Sequence, residues 1–524
     1  MSPAGDDISQ GSADRAILRE GESCWRIAKA DRVAVIADAA AYFAAAKASI
    51  LKAKHSVFLI GWDFDLRIGL ERTDPMPDVP DELGDFLTYV VENRPDLRVF
   101  VLRWDLSFLK FPFRATLPLK LLDWIAGRRL QFRLDHEHPT GACHHQKIVV
   151  VDDTVAFCGG IDMTVYRWDT PAHADEDPCR KDPTGEPYHP WHDATICLMG
   201  EVARALGDLA RERWKRATGE KIPPAPLCEP CWPDHLSPDL TDVDVAIART
   251  EPAYGRAQPE VREIEALYLA AIRAAQKTIY IETQYFASHR IAAALRERLQ
   301  EEDGPEIVVI NPKTAYGWLE EEVMGTSRAV LLKHIRNCDR YGRFQIYTPV
   351  TENGTDIYVH AKVVAIDDRL LRVGSSNLNN RSMGLDTECD LAIEALPSQS
   401  NEETIRQMIR DVRNRLVAEH LGVTRSELDD ALEAEGMSLL RAIERLRREH
   451  GRSLVPFDPP PLSEAEMALG ETRILDPDRP EEMSENLLQG LDLPGVGKAI
   501  GLGIGAATGL AAAVAFGRTH SNDK

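Results

Sequence analysis

The stretch Cys143-His144-His145-Gln146-Lys147-Ile148-Val149-Val150-Val151-Asp152, followed by Gly159-Gly160-Ile161-Asp162, decides how the rest of the chain is read. It sets His145, one residue, Lys147, four residues, Asp152, six residues, then a Gly-Gly-x-Asp turn. The same frame returns as His360, Lys362 and Asp367, followed at the same interval by Gly374-Ser375-Ser376-Asn377. A single His-x-Lys pair means little, because exposed strands often carry one. Two copies with identical spacing to Asp and to the glycine turn mean an internal duplication.

Ile148 to Val151 are four β-branched residues and read as a strand. Alternation along it would put His145 and Lys147 on one face. Asp152-Asp153 is a turn signal and Thr154 to Cys158 the returning arm, which brings Gly159-Gly160 back toward His145. Glycines there let a ligand approach the backbone closely. If the two copies pack against each other, two histidines and two lysines converge on a pocket suited to a tetrahedral anion such as phosphate. The lysines offset charge gathered in a phosphoryl transition state, and Ser375 and Asn377 add hydrogen-bond donors. One imidazole can attack phosphorus and give a phospho-histidine, while the other protonates the leaving oxygen and then deprotonates water or an alcohol. Asp193 and Glu388, each a short way past its motif, are candidates to fix the imidazole tautomers. Asp152 and Asp367 complete the motifs, and their strand-end positions suit turn backbone groups or a nearby cation. The scheme requires neither a metal nor a cofactor.

Outward from the motifs, helical and short apolar segments alternate, which predicts an α/β protein with a largely buried sheet. In the first half, strands are expected over 56–61, 97–102 and 130–134, and helices over 38–54, 82–93, 119–126 and 201–218. The Asp-, Pro- and His-rich segment 166–188 reads as a loop at the mouth of the site. The second half repeats the plan, with strands at 278–282, 307–310, 344–347, 357–366, 370–373 and 391–394. The expected organisation is a disordered N-terminus (1–20), an N-terminal catalytic lobe (21–222) and a proline-rich linker (223–245). A C-terminal catalytic lobe (246–423), a helical extension (424–455) and an acidic linker (456–498) follow. The segment 499–517 is uncharged and Gly/Ala-rich, with Gly501, Gly505 and Gly509 one helical turn apart, as in membrane helices that pack closely.

The 524-residue chain has a net charge of −22, which argues against a nucleic-acid partner, since that needs a basic surface. Nine cysteines, an odd number, argue against a disulfide framework, and Cys228-Glu229-Pro230-Cys231 reads as a loop detail. Residues 1–20 have no apolar core, so no signal peptide is expected and the location reads as cytoplasmic or peripheral to a membrane.

The duplicated His-x-Lys-x4-Asp-x6-Gly frame resembles the signature of the phospholipase D superfamily. The second copy matches it in full, while the first has Gly160 for the signature Ser and Asp162 for Asn. That departure is similar to the first motif of eukaryotic-type phospholipase D, as are Tyr166 to Pro171, Pro190-Trp191-His192-Asp193, Ile279 to Phe286 and Asn380 to Met383. The resemblance implies two similar α-β-α sandwich lobes related by pseudo-twofold symmetry, and the residues beyond them read as a helical or disordered C-terminal tail. It implies His145 as the nucleophile and His360 as the acid/base. Lys147, Lys362, Gly160, Asp162, Ser375 and Asn377 fall at phosphate-site positions, and Asp193 and Glu388 are the acidic partners. The implied substrate is a glycerophospholipid, cleaved to phosphatidic acid and a free head group with transfer to alcohols as a side reaction. The membrane surface is a partner, with 499–517 as the candidate contact, and a monomer suffices. A cardiolipin-synthase-type phosphatidyltransferase is the first alternative; a nuclease or a non-catalytic membrane scaffold lies further off.

Overall fold

A computed structural model describes residues 16–105, 124, 127–256, 258–314, 324–459, 463 and 476–480. Its centre is a pair of twelve-residue strands, β1 (Arg26–Ala37) and β9 (Leu240–Glu251), antiparallel with Arg26 opposite Ile247 and Val33 opposite Leu240. From β1 the sheet runs outward through β8 (Ala194–Met199), β6 (Val155–Gly159), β5 (Ile148–Val151), β2 (Ser56–Gly61), β3 (Arg98–Trp104) and β4 (Leu130–Asp135). From β9 it runs through β17 (Glu388–Glu394), β16 (Leu370–Gly374), β15 (Val363–Ile366), β11 (Thr278–Glu282), β12 (Glu306–Ile310), β13 (Phe344–Val350) and β18 (Ser453–Pro456). The short β10 (Val261–Arg262) pairs with the end of β9. Apart from β10 and β18 the two runs have the same order. The motif strands β5 and β15 hold the same place in each, third out from the centre.

Both faces of the sheet are covered. On one face a single apolar cluster spans the two halves. Leu206, Leu209 and Trp214 of α3 (Glu201–Thr218) lie in it with Ile409, Val412 and Leu416 of α8 (Glu402–Leu421). On the other face there are two clusters. One holds α1 (Ala39–Ile50) and α2 (Leu83–Glu92); the other holds α4 (Glu263–Ala274), α5 (His289–Gln300) and α6 (Thr326–Cys338). The short α7 (Asn380–Gly384) sits between β16 and β17 in the chain. This is the layered α/β architecture expected from the sequence. Strands β2 and β11, parallel to β3 and β12, are buried along their whole length and apolar over 57–60 and 279–281. Helices α3 and α8 both stop at a glycine in the left-handed region, Gly219 (φ 76°) and Gly422 (φ 64°). The charged segment after α8 forms α9 (Arg425–Ala434), opened by a Thr424/Glu427 capping box, and α10 (Leu439–Leu446).

The structure departs from the sequence reading in four places. First, β1 is absent from that reading, and β9 begins inside the segment taken as a linker. Charged residues at Arg26, Lys29, Asp31 and Arg32 hide the apolar pattern of β1, and the prolines of 223–238 overshadow the alternation of β9. Second, the strand expected over 357–366 is broken into β14 (Tyr358–Val359) and β15, because β14 leaves the main sheet to pair with β7 (Trp191–His192) of the other half. Third, Ile17 and Leu18, in the stretch read as disordered, are buried, and their amides donate to the Glu394 carboxylate at 2.9–3.0 Å. Fourth, Asp476, in the stretch read as an acidic linker, is buried and accepts from the amides of Asn380 and Arg381. The helix expected over 119–126 lies outside the described residues, Trp124 excepted, and so does the segment 499–517. Among the described residues no helix is long and apolar enough to cross a membrane, and the nine cysteines are free.

Asp152 and Asp367 sit at the far ends of the motif strands, seven residues from their histidines and roughly 20 Å away along an extended chain. Each has a positive φ (51° and 52°) and accepts three consecutive backbone amides. These come from Lys54, His55 and Ser56 for Asp152, and from Gln276, Lys277 and Thr278 for Asp367. The two aspartates, grouped with the catalytic residues by spacing, therefore stand apart from the histidine pocket and tie a helix–strand turn to a hairpin. Asp367→Ala should lower unfolding free energy by roughly 2–4 kcal/mol, since several charge-assisted hydrogen bonds vanish together. The check is urea denaturation followed by circular dichroism. Catalytic constants of the folded fraction should be unchanged.

Candidate active site

The histidines lie just before their strands rather than in them, where the chain from each half meets the other. The His145 amide donates to the Thr387 carbonyl (2.9 Å), and the His360 amide donates to the His192 carbonyl (2.8 Å). The two acids are thereby exchanged between the motifs. His145 Nδ1 lies 3.1 and 3.0 Å from the Glu388 carboxylate oxygens, and His360 Nδ1 lies 2.7 Å from Asp193 Oδ2. Each motif's histidine is held by the acid that follows the other motif. A carboxylate at Nδ1 puts the proton there and leaves Nε2 as the reactive nitrogen.

Supporting hydrogen bonds fix the acids. Glu388 accepts from the hydroxyls of Ser375 (2.5 Å) and Ser382 (2.7 Å), so the Ser375 donor, expected at a phosphate, is committed to the acid. Asp193 Oδ1 accepts from the Ala194 amide at 2.8 Å. In the first copy the position of Ser375 is Gly160, where a Cβ would stand 2.1 Å from Asp193 Oδ1. The glycine is required by the close approach of that carboxylate.

The lysines differ in their surroundings. Lys147 Nζ lies 3.2 Å from Asp162 Oδ2, whose other oxygen accepts the Trp62 amide at 2.9 Å. At the matching place Asn377 bears no charge, and both its Nδ2 and Lys362 Nζ lie 3.4 Å from Gln284 Oε1. The Asp-for-Asn exchange thus gives Lys147 a carboxylate in contact where Lys362 contacts the Gln284 amide. Burial pulls the Lys362 ammonium down to about 7, against the attraction of Asp193. Burial, then Lys147 and Lys362, hold the His145 imidazolium well below its ordinary value. Burial, then Lys362 and Arg167, do the same for His360. Burial lifts Glu388 to about 8 and Asp193 to about 6. Both imidazoles are therefore neutral near neutral pH, and each sits in the field of both lysines.

Beside His360 opens a cleft of about 620 Å³, a size suited to a small-molecule ligand. Tyr166, Tyr188, Trp191 and Tyr358 line it, with Lys313 at its edge. The Trp191 ring stacks on Tyr358 at 4.5 Å, lies 5.3 Å from the His360 ring, and has the Arg167 guanidinium 4.3 Å above it. Gln284, Ser382 and Arg167 received no role from the sequence, although each lies in a segment similar to eukaryotic-type phospholipase D. No spacing rule links them to the histidines.

A single α/β sheet that brings two His-x-Lys copies to one pocket defines a duplicated histidine site. Two family models match the chain, one for phospholipase D over residues 129–253 and one for a cardiolipin synthase, PLD-like domain over residues 268–412. Each covers one motif. Similar curated proteins include phospholipase D1 of Schizosaccharomyces pombe, 26% identical over 55% of this chain and 28% of its own length. Phospholipase D alpha 2 of Oryza sativa is 25% identical over 76% of this chain and 65% of its own. The chain thus spans less than two thirds of the length of either relative. Among solved structures, phosphatidylserine synthase of Haemophilus influenzae superposes with a TM-score of 0.48 at 14% identity, covering 78% of this chain and 95% of the other. The chain belongs to the phospholipase D superfamily.

Proposed function

We propose that the protein is a phosphodiesterase that hydrolyses a glycerophospholipid to phosphatidic acid and a free head group. The observation that carries this reading is the crosswise pairing of the two imidazoles with buried carboxylates, beside two lysines. In the first step His145 Nε2 attacks phosphorus and the bond to the head-group oxygen breaks. His360, protonated at Nε2 once the phosphodiester anion offsets the lysine charge, gives its proton to that oxygen. The phosphatidyl group is then on His145. In the second step His360 Nε2 takes a proton from water as the water oxygen attacks phosphorus, and the P–N bond breaks to free His145. Lys147, Lys362 and Asn377 hold the non-bridging oxygens, and Asp162 keeps Lys147 in place. Gly160 leaves room for Asp193, and Ser375 orients Glu388. The aromatic cleft beside His360 receives the head group, since aromatic faces accept both apolar and cationic groups.

The similarity of residues 268–412 to a cardiolipin synthase domain supports a second reading, in which a lipid hydroxyl replaces water in the second step. The same site serves both. Purified protein should be offered phosphatidylcholine, phosphatidylethanolamine and phosphatidylglycerol, with product masses recorded and single-stranded DNA as a control. Phosphatidic acid with a released head group is the expected product. Cardiolipin from phosphatidylglycerol would favour the transferase, and cleavage of DNA alone would overturn both.

A further inference from the structure

Behind the active site, four residues from distant parts of the chain meet in a buried cluster that the proposed chemistry does not use. Asp38 directly follows β1, His173 lies in the loop after the first motif, His192 belongs to β7, and Glu419 is on α8 of the other half. Asp38, His173 and His192 are at most 1% exposed, and the Glu419 side chain is 7% exposed. The His173 Nε2 atom lies 3.5 Å from Asp38 Oδ2 and 3.3 Å from Glu419 Oε1. His192 Nδ1 lies 3.3 Å from Asp38 Oδ1 and 2.9 Å from the same Glu419 oxygen. Ligands placed about 2.0–2.1 Å from a tetrahedral zinc ion stand about 3.3–3.4 Å from one another, close to these spacings.

The other nitrogen of each ring is already taken. His173 Nδ1 lies 2.9 Å from Asp169 Oδ2, and Asp169 is fixed by Arg180 and by the Trp191 amide. His192 Nε2 lies 3.0 Å from Glu282 Oε2, and Glu282 also accepts from Tyr280 and contacts His420 Nε2. A carboxylate behind each imidazole is the usual support of a metal-bound histidine. It leaves His173 Nε2 and His192 Nδ1 as the nitrogens that face the two carboxylates, with His173 Nε2 in hydrogen-bond contact with Glu419 Oε1. The His192 Nδ1 atom makes no hydrogen bond although two carboxylate oxygens flank it, and Asp38 Oδ2 also lacks a hydrogen-bond partner. Ring nitrogens and carboxylate oxygens this close in a buried site need a cation between them, a proton or a metal ion, and no hydrogen bond fills that place at His192 Nδ1 or Asp38 Oδ2. Two neutral imidazoles and two carboxylates balance one divalent charge, and nitrogen donors favour zinc over calcium or magnesium.

We propose that Asp38, His173, His192 and Glu419 bind one zinc ion that pins α8 of the second half to the segment bearing Asp193. The ion is structural: all four ligands come from the protein, and no open position faces the phosphate pocket. It holds His192, whose neighbour Asp193 carries His360 and whose carbonyl accepts the His360 amide.

The test uses the full-length chain without a histidine tag, purified in the absence of chelators. Elemental analysis after gel filtration should find about one zinc per chain. Stripping with a chelator should lower Tm by about 5 °C or more, and zinc chloride alone should restore it. Cobalt(II) added to the stripped protein should give the intense visible absorption of a tetrahedral site. His173→Asn and Glu419→Gln should each lose the metal while remaining folded by circular dichroism. Less than about 0.1 zinc per chain in the wild type, together with no Tm response to added zinc, overturns the proposal and leaves a purely protonated network. Full zinc retention in a folded His173→Asn/Glu419→Gln double variant overturns it equally.

Discussion

His145→Asn should lower kcat at least about 10⁴-fold, because it removes the nitrogen assigned to carry the phosphatidyl intermediate and leaves His360 in the acid/base role. The asparagine amide can still donate to Glu388, so Tm should stay near that of the wild type. His360→Asn should cost somewhat less, about 10²–10⁴-fold, since it removes proton transfer but leaves the nucleophile. The second variant gives the sharper test. With His360 gone the water step is slow, so mixtures quenched with denaturant at alkaline pH, where a P–N bond survives, should hold labelled phosphate on a peptide containing His145. No label on His145 in this variant, with label on His360 in the quenched wild type, would reverse the assignment of roles. Substantial steady-state turnover in either folded variant would remove the histidine pair from the mechanism altogether.

Much of this site was legible in the sequence, and the limits have physical causes. Identity and spacing picked out the histidines and lysines that the fold brings together, because chance and packing alone rarely repeat one polar pattern on two apolar strands. Asp193 and Glu388 were identifiable as acids near strand starts. Their exchange between motifs was not, since it arises from contacts between the halves, His145 with Thr387 and His360 with His192. The β-branched run placed β5 correctly, while the single strand expected over 357–366 holds only for β15, because the pairing of Tyr358 with Trp191 pulls β14 out of it. The central strands β1 and β9 were obscured for different reasons. One carries scattered charge, and the other follows a proline-rich segment whose signal dominated its own. Asp152 and Asp367 belong to the motif by spacing, but their strand-end positions already suited turn backbone groups, and turn amides are what they accept. The Asp38–His173–His192–Glu419 cluster had no signature at all, because its ligands are spread over most of the chain.

Exchange of the acids gives the second large prediction. Asp193 binds the Ala194 amide through Oδ1 and His360 through Oδ2. In Asp193→Asn the remaining oxygen should stay with that amide, which turns the new NH2 group toward His360 Nδ1. The ring must then carry its proton on Nε2, so it keeps an acid but loses the base that the water step needs. The expected fall in steady-state kcat is about 10²–10⁴-fold. It should be uneven between steps. With a nitrophenyl phosphodiester, whose leaving group needs little protonation, Asp193→Asn should release about one equivalent of nitrophenolate per site in a burst and then turn over slowly. Glu388→Gln disturbs the nucleophile instead, so there the burst itself should slow. Stopped-flow absorbance separates the two patterns. Uniformly slow release in Asp193→Asn with a normal burst in Glu388→Gln would mean that His360, not His145, attacks phosphorus, because each acid governs the histidine it touches.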